Sequence, residues 1–125
     1  MKKNSKIYIA GHNGMVGSAI VRKLKSKGYN NLVFTPHPEF DLINQNCVID
    51  FFKKEQPEYV IDAAAKVGGI FANNTYRAQF IYENMMIQNN VIHQSYLSGV
   101  KKLLFLGSVC IYPKNASQPI SENSL

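Results

Sequence analysis

Apolar positions along the chain switch between two periods. Lys6 to Ala10 form a short β-rich run that stops at Gly11, and Met15, Val16, Ala19, Ile20 and Leu24 then recur at helical spacing up to Gly28. This predicts a strand, a glycine turn and a helix. Leu32-Val33-Phe34 is a second apolar run, and after the Pro- and His-containing stretch from Thr35 to Phe40, Val48, Ile49 and Phe52 mark a second helix stopped near Pro57. Tyr59-Val60-Ile61 opens a third strand that runs into Ala63-Ala64-Ala65. A glycine-containing loop is expected from Lys66 to Asn74, followed by a long helix with Phe80, Ile81, Met85, Gln88 and Ile92 on one face, closed by Gly99. Lys102 to Leu106 is a fourth strand ending at Gly107-Ser108. Irregular chain through Pro113 and Pro119 and a polar coil from Ser121 to Leu125 follow.

Strands that alternate with helices need right-handed crossovers, and therefore a parallel sheet covered on both faces. The expected fold class is α/β, a doubly wound parallel sheet of the Rossmann type, with strand order 3-2-1-4 and truncated after the fourth strand. The 125 residues suit one domain. The chain looks cut short, since the fourth strand would be an open sheet edge followed only by polar coil.

Charge narrows the partners only slightly. Fourteen Lys and Arg against eight Asp and Glu give a formal net charge of +6, which suits nucleic acid, a membrane surface or a phosphorylated small molecule. No nucleic-acid recognition motif accompanies it, and Arg22, Lys23, Lys25 and Lys27 read as a solvated helix face. The opening apolar run, Ile7 to Ala10, is far shorter than the ~20 residues of a membrane span. A small-molecule partner, no nucleic acid, no membrane and a cytoplasmic location are the expectations. Cys47 and Cys110 have no C-x-x-C company, so free thiols and no metal site are expected. Cys47, on an apolar-patterned helix, reads as an inert buried thiol, and His93 as a structural residue.

The strongest chemical signal is Gly11-His12-Asn13-Gly14-Met15-Val16-Gly17, a G-x-x-G-x-x-G run between a predicted strand and a predicted helix. The first glycine allows the tight turn, the second lets backbone N–H groups approach a pyrophosphate at the helix N-terminus, and the third permits close helix packing. No Lys-Ser/Thr follows the last glycine, which excludes a Walker-type loop. The second strand closes on Thr35, Pro36 and His37 without the acid that would hold the ribose 2′-OH of NAD, and His37 could lend a donor to a 2′-phosphate. Ser108 and Cys110 follow the fourth strand, where ligands of open α/β sheets lie. A serine hydroxyl there can stabilise charge developing on a carbonyl oxygen. A thiolate there can take a proton from carbon beside a ketone.

These motifs extend into longer strings: GHNGMVGSAIVRKL, the run Ala63-Ala64-Ala65-Lys66-Val67-Gly68-Gly69-Ile70, the segment Phe80 to Gln88, and Leu104 to Lys114 with its GS-x-CIYPK core. Together they resemble the extended short-chain dehydrogenase/reductase family, in its GDP-L-fucose synthase branch, over nearly the whole chain. The resemblance implies NADP as cofactor and the 3,5-epimerisation and 4-reduction of GDP-4-keto-6-deoxy-D-mannose, by a protein that is a homodimer at full length. It places the cofactor against Gly11, His12, Asn13, Gly14, Met15, Val16, Gly17, His37, Asp41, Leu42, Ala63, Ala64, Ala65, Lys66, Leu106, Gly107 and Ser108. It makes Ser108 the reductase serine and Cys110 the epimerisation base. The chain departs from the branch at Asn13 and His37, where arginines are typical. It also holds no Tyr-x-x-x-Lys proton-donor pair and no counterpart of the branch's downstream acid histidine. By that resemblance residues 1–125 are expected to be the N-terminal part of an NAD(P)-binding Rossmann domain, with the substrate domain absent, and to be inactive alone. The alternatives are a catalytically silent dinucleotide-binding module, or another nucleotide-sugar epimerase or dehydratase.

Overall fold

A computed structural model describes residues 1–35 and 40–125. Its elements run β1 (Ile7–Ala10), α1 (Met15–Ser26), β2 (Leu32–Val33), α2 (Gln45–Glu55), β3 (Tyr59–Asp62), α3 (Ile70–Thr75), α4 (Arg77–Leu97) and β4 (Lys102–Phe105). The four strands are parallel, as the alternation of periods requires.

Their order is β2-β1-β3-β4, which corrects the expected 3-2-1-4. β3 pairs with β1, Tyr8 facing Val60 and Ala10 facing Asp62, rather than outside β2. The reason lies in the two candidate edges. All four residues of β1 are fully buried and need a ladder on both sides, whereas β2 is two half-buried residues and offers a third strand almost nothing to pair with. The crossover through α2 therefore returns the chain across β1. The winding reverses at β1, the place where open α/β sheets form a ligand crevice.

The main core lies on one sheet face, where Tyr8, Ala10 and Val60 meet Val48 and Phe52 of α2 and Val91 of α4. The Tyr8 ring packs on Phe51 at 4.7 Å and edge-on to Phe52 at 5.8 Å. α2 starts where the Asn44 side chain accepts from the amides of Asn46 and Cys47, and ends at Gln56 in the left-handed region, φ 43°. Full burial of Phe52 is worth on the order of 2–3 kcal/mol.

Further expectations change. The predicted loop 66–74 contains the start of α3. The face of α4 that carries Ile81, Met85 and Ile92 is exposed, and the packed face is Asn90, Val91, Gln94 and Ser95. Hydrogen bonds make that polar burial possible: the Asn90 amide donates to the carbonyls of Leu42 and Ile43 (2.8 and 3.1 Å), and the Ser95 hydroxyl to that of Val91 (2.7 Å). His93 is exposed, Cys47 is half-buried, and the terminal segment turns into a short 3₁₀ helix, Glu122–Ser124. Among the described residues no helix is long and apolar enough to cross a membrane.

Candidate functional site

The glycine turn is closed by sterics as much as by hydrogen bonds. Gly11 sits at φ +74°, and a Cβ there would lie 2.6 Å from the Ala63 carbonyl oxygen and 2.8 Å from the Ala64 amide nitrogen. A Cβ on Gly17 would overlap the Gly11 carbonyl, so α1 can reach β1 this closely only with glycine at both places. The Gly14 amide donates to the Gly11 carbonyl at 3.0 Å and the Ser18 amide to the Gly14 carbonyl at 2.9 Å. Gly14 starts α1 with no side chain capping that end, and no acid stands in the first turn. The positive end of a 12-residue helix is left for an anion.

That turn opens into a cleft of about 510 Å³ at the carboxyl ends of β1 and β3. Gly11 through Val16 form one wall, Asp41 and Leu42 one end, and Ala63 through Lys66 the other wall. These predicted residues, scattered over 56 positions of sequence, are brought together. Asp41 is held by its own turn, its Oδ1 accepting from the Ile43 amide at 2.9 Å. Lys66 is fixed twice by α4: Asn84 accepts from its amide (2.8 Å) and donates to its carbonyl (3.0 Å), and its ammonium pairs with Glu83 at 2.8 Å. The His12 ring lies 4.9 Å from that of Phe34, and burial lowers its pKa, so the imidazole is neutral at pH 7.

Residues 7–125 match the sequence model of the NAD dependent epimerase/dehydratase family. The chain belongs to that family. It is 63% identical over 123 residues to GDP-L-fucose synthase 1 of Arabidopsis thaliana and 55% identical over 120 residues to the GDP-L-fucose synthase of Escherichia coli. These alignments cover 98% and 96% of the chain but only 38% and 37% of those proteins, so the chain spans well under half the length of its curated relatives. Among solved structures it is similar to MlghC, a GDP-mannoheptose C4 reductase from Campylobacter jejuni with NADP bound. The TM-score is 0.94 at 55% identity, over 100% of this chain and 40% of that one.

In this epimerase/dehydratase chain the other predicted residues lie apart from the cleft. Gly17 is buried behind the turn and does not line it. Leu106, Gly107, Ser108 and Cys110 are exposed beyond β4, one strand further along the sheet than Ala63. The Leu106 amide donates to the Asp62 carbonyl at 3.1 Å, which keeps the start of this segment beside the end of β3. Ser108 caps a 3₁₀ turn, Val109–Ile111, its hydroxyl accepting from the Cys110 amide at 3.2 Å, and Cys110 is a free, exposed thiol. His37 lies outside the described residues.

The cleft also has members that sequence reading did not select. Thr35, Phe40, Val67 and Ile87 line it. Phe40 has a legible signal, an aromatic directly before Asp41-Leu42 that packs on Phe51 at 5.0 Å. Ile87 has none, because only the tertiary position of α4 brings it there. Beneath the alanine wall Asp62 is buried, its Oδ1 accepting from the Ala64 amide at 3.0 Å while its Oδ2 has no partner among the described residues. Burial pushes its pKa up to about 6. Burial likewise raises the Tyr8 phenol well above its ordinary value. Among the described residues no cluster of His, Cys, Asp or Glu could hold a metal.

Proposed function

We propose that this chain is the N-terminal, dinucleotide-binding part of an NADPH-dependent epimerase-reductase that turns GDP-4-keto-6-deoxy-D-mannose into GDP-L-fucose, and that the complete protein is a homodimer. One observation carries the reading. A glycine turn with no room for a Cβ opens on a cleft at the carboxyl ends of β1 and β3, with the Ser108–Cys110 turn one strand further along the sheet, in a chain 63% identical to a GDP-L-fucose synthase.

The cleft fits a dinucleotide: the uncapped first turn of α1 would take the pyrophosphate, Asp41 and Leu42 the adenosine end, and the Ala63–Lys66 wall the rest. The nicotinamide, when bound, supplies a hydride to the keto carbon. The chain's own residues serve the oxygen and the carbon acid. Ser108 donates to the keto oxygen as it gains charge. The Cys110 thiolate takes a proton from carbon 3 or carbon 5, each made acidic by the adjacent C4 ketone, and the C–H electron pair moves into the carbonyl to give an enolate. A proton returned from the opposite face inverts the centre.

No Tyr-x-x-x-Lys pair occurs in these 125 residues, which favours a second reading for the chain by itself, a silent dinucleotide-binding module. NADPH oxidation with the 4-keto sugar nucleotide separates the two. The 125-residue chain should show no turnover, and a protein extended to the length of the relatives should restore it. Turnover by the short chain, or none by the extended one, overturns the proposal.

A further inference from the structure

The end of the second strand decides which dinucleotide a fold of this kind prefers: a carboxylate there holds the 2′-hydroxyl of NAD, and an arginine accommodates the 2′-phosphate of NADP. This chain supplies neither among its described residues. β2 stops at Val33, followed by Phe34 and the buried Thr35, and from Gly28 to Phe52 the sequence has no Lys or Arg, in a chain that has 14. Residues 36–39, outside the described residues, add no Lys or Arg by sequence.

The facing wall is no more cationic. Asn13 lines the cleft as an exposed neutral amide, and His12 is neutral at pH 7 against Phe34. The Asp41 carboxylate stands at the same end and disfavours a second anion. Lys66, the one cation lining the cleft among the described residues, is paired with Glu83 and lies beyond β3, on the other side of β1 from β2. What remains is the Thr35 hydroxyl and the Asn13 amide, both able to hydrogen-bond a ribose hydroxyl or a phosphate oxygen.

Resting on the dinucleotide reading above, we infer that this chain separates NADPH from NADH only weakly, with Asn13 and Thr35 as its specificity-determining residues. A neutral donor gains far less from the charge of a phosphate than a bidentate guanidinium does, so the two affinities should lie within about tenfold of each other. A guanidinium added at Asn13 would meet a phosphate with two parallel N–H bonds and a hydroxyl with one.

Titration of NADPH and NADH by their own fluorescence, with each nucleotide's effect on the melting temperature measured alongside, tests this. For the unaltered chain the two dissociation constants should agree within about tenfold. Asn13→Arg should tighten NADPH by about tenfold or more and leave NADH within about threefold, with Asn13→Lys giving a smaller shift in the same direction. A preference for NADPH of about 100-fold in the unaltered chain overturns the inference while leaving the dinucleotide site standing. A folded Asn13→Arg whose preference does not move overturns it too. Binding of neither nucleotide overturns the site itself, and the inference with it.

Discussion

Asp62 is a buried carboxyl held at one oxygen only, and replacing it with Asn should change how stability depends on pH. Burial raises its pKa from 3.8 to about 6, a gap of about 2 units, or about 3 kcal/mol at 1.36 kcal/mol per unit. As pH rises from about 4 to about 6, the unfolded chain has already released this proton while the folded chain still holds it. The folded state binds more protons in that window, so stability falls as pH rises through it. Above about pH 6 the loss is complete and constant. Asp62→Asn keeps an oxygen for the Ala64 amide and cannot ionise. Its NH₂, buried without a partner, costs about 1–3 kcal/mol at every pH alike. The stability difference between variant and parent should therefore move by about 3 kcal/mol in favour of Asn between about pH 3.5 and about pH 7.5, whatever its offset. Urea unfolding followed by far-UV circular dichroism across that range reads it directly, since contributions from every other group cancel in the difference. Two parallel pH profiles would refute the reasoning, because they would mean that Asp62 titrates alike in the folded and unfolded chain.

Gly17→Ala forces a methyl onto the Gly11 carbonyl and should cost about 1–3 kcal/mol and abolish nucleotide binding, whereas Gly69→Ala meets open space and should stay within about 0.5 kcal/mol; thermal melts and NADPH titration compare them. In a protein extended to the length of the relatives, Ser108→Ala should slow the reductive step by about 10²-fold and leave deuterium exchange from solvent into the sugar intact. Cys110→Ser should do the reverse, suppressing exchange at carbons 3 and 5 while some direct reduction survives; unchanged exchange would take the base role away from Cys110.

Much of the fold was legible because its signals are local. The apolar run before Gly11, the helix period from Met15 and the Tyr59–Ile61 run each mark their element within a dozen residues, although β3 stops at Asp62 rather than running into Ala63–Ala65, and most of the cleft is made from the strings around them. What was not legible depends on tertiary company. The strand order follows from which edge of β1 is free when β3 arrives, and no window of sequence holds that choice. α4 defeated the periodicity because its packed face is Asn90, Gln94 and Ser95, polar side chains that only their hydrogen-bond partners make buriable. Gly68-Gly69 read as loop, yet Gly69 is the residue that starts α3. Ile87 joined the cleft through the docking of α4, and nothing in its neighbours along the chain announces it.

Two asparagines of α4 give that helix a further consequence. Asn84 grips the backbone of Lys66 on one wall, and Asn90 grips the carbonyls of Leu42 and Ile43 at the far end of the same cleft. They are six residues apart, about 9 Å along a helix axis at 1.5 Å per residue. Because a hydrogen-bonded helix resists stretching far more than a loop does, α4 works as a caliper: a sideways shift would carry both jaws together, and the gap between them would keep its span. Opening this cleft would require the release of one asparagine, and the two grips would then report separately, as amide protons at Lys66 or as the carbonyl stretch at Leu42, on which jaw had let go.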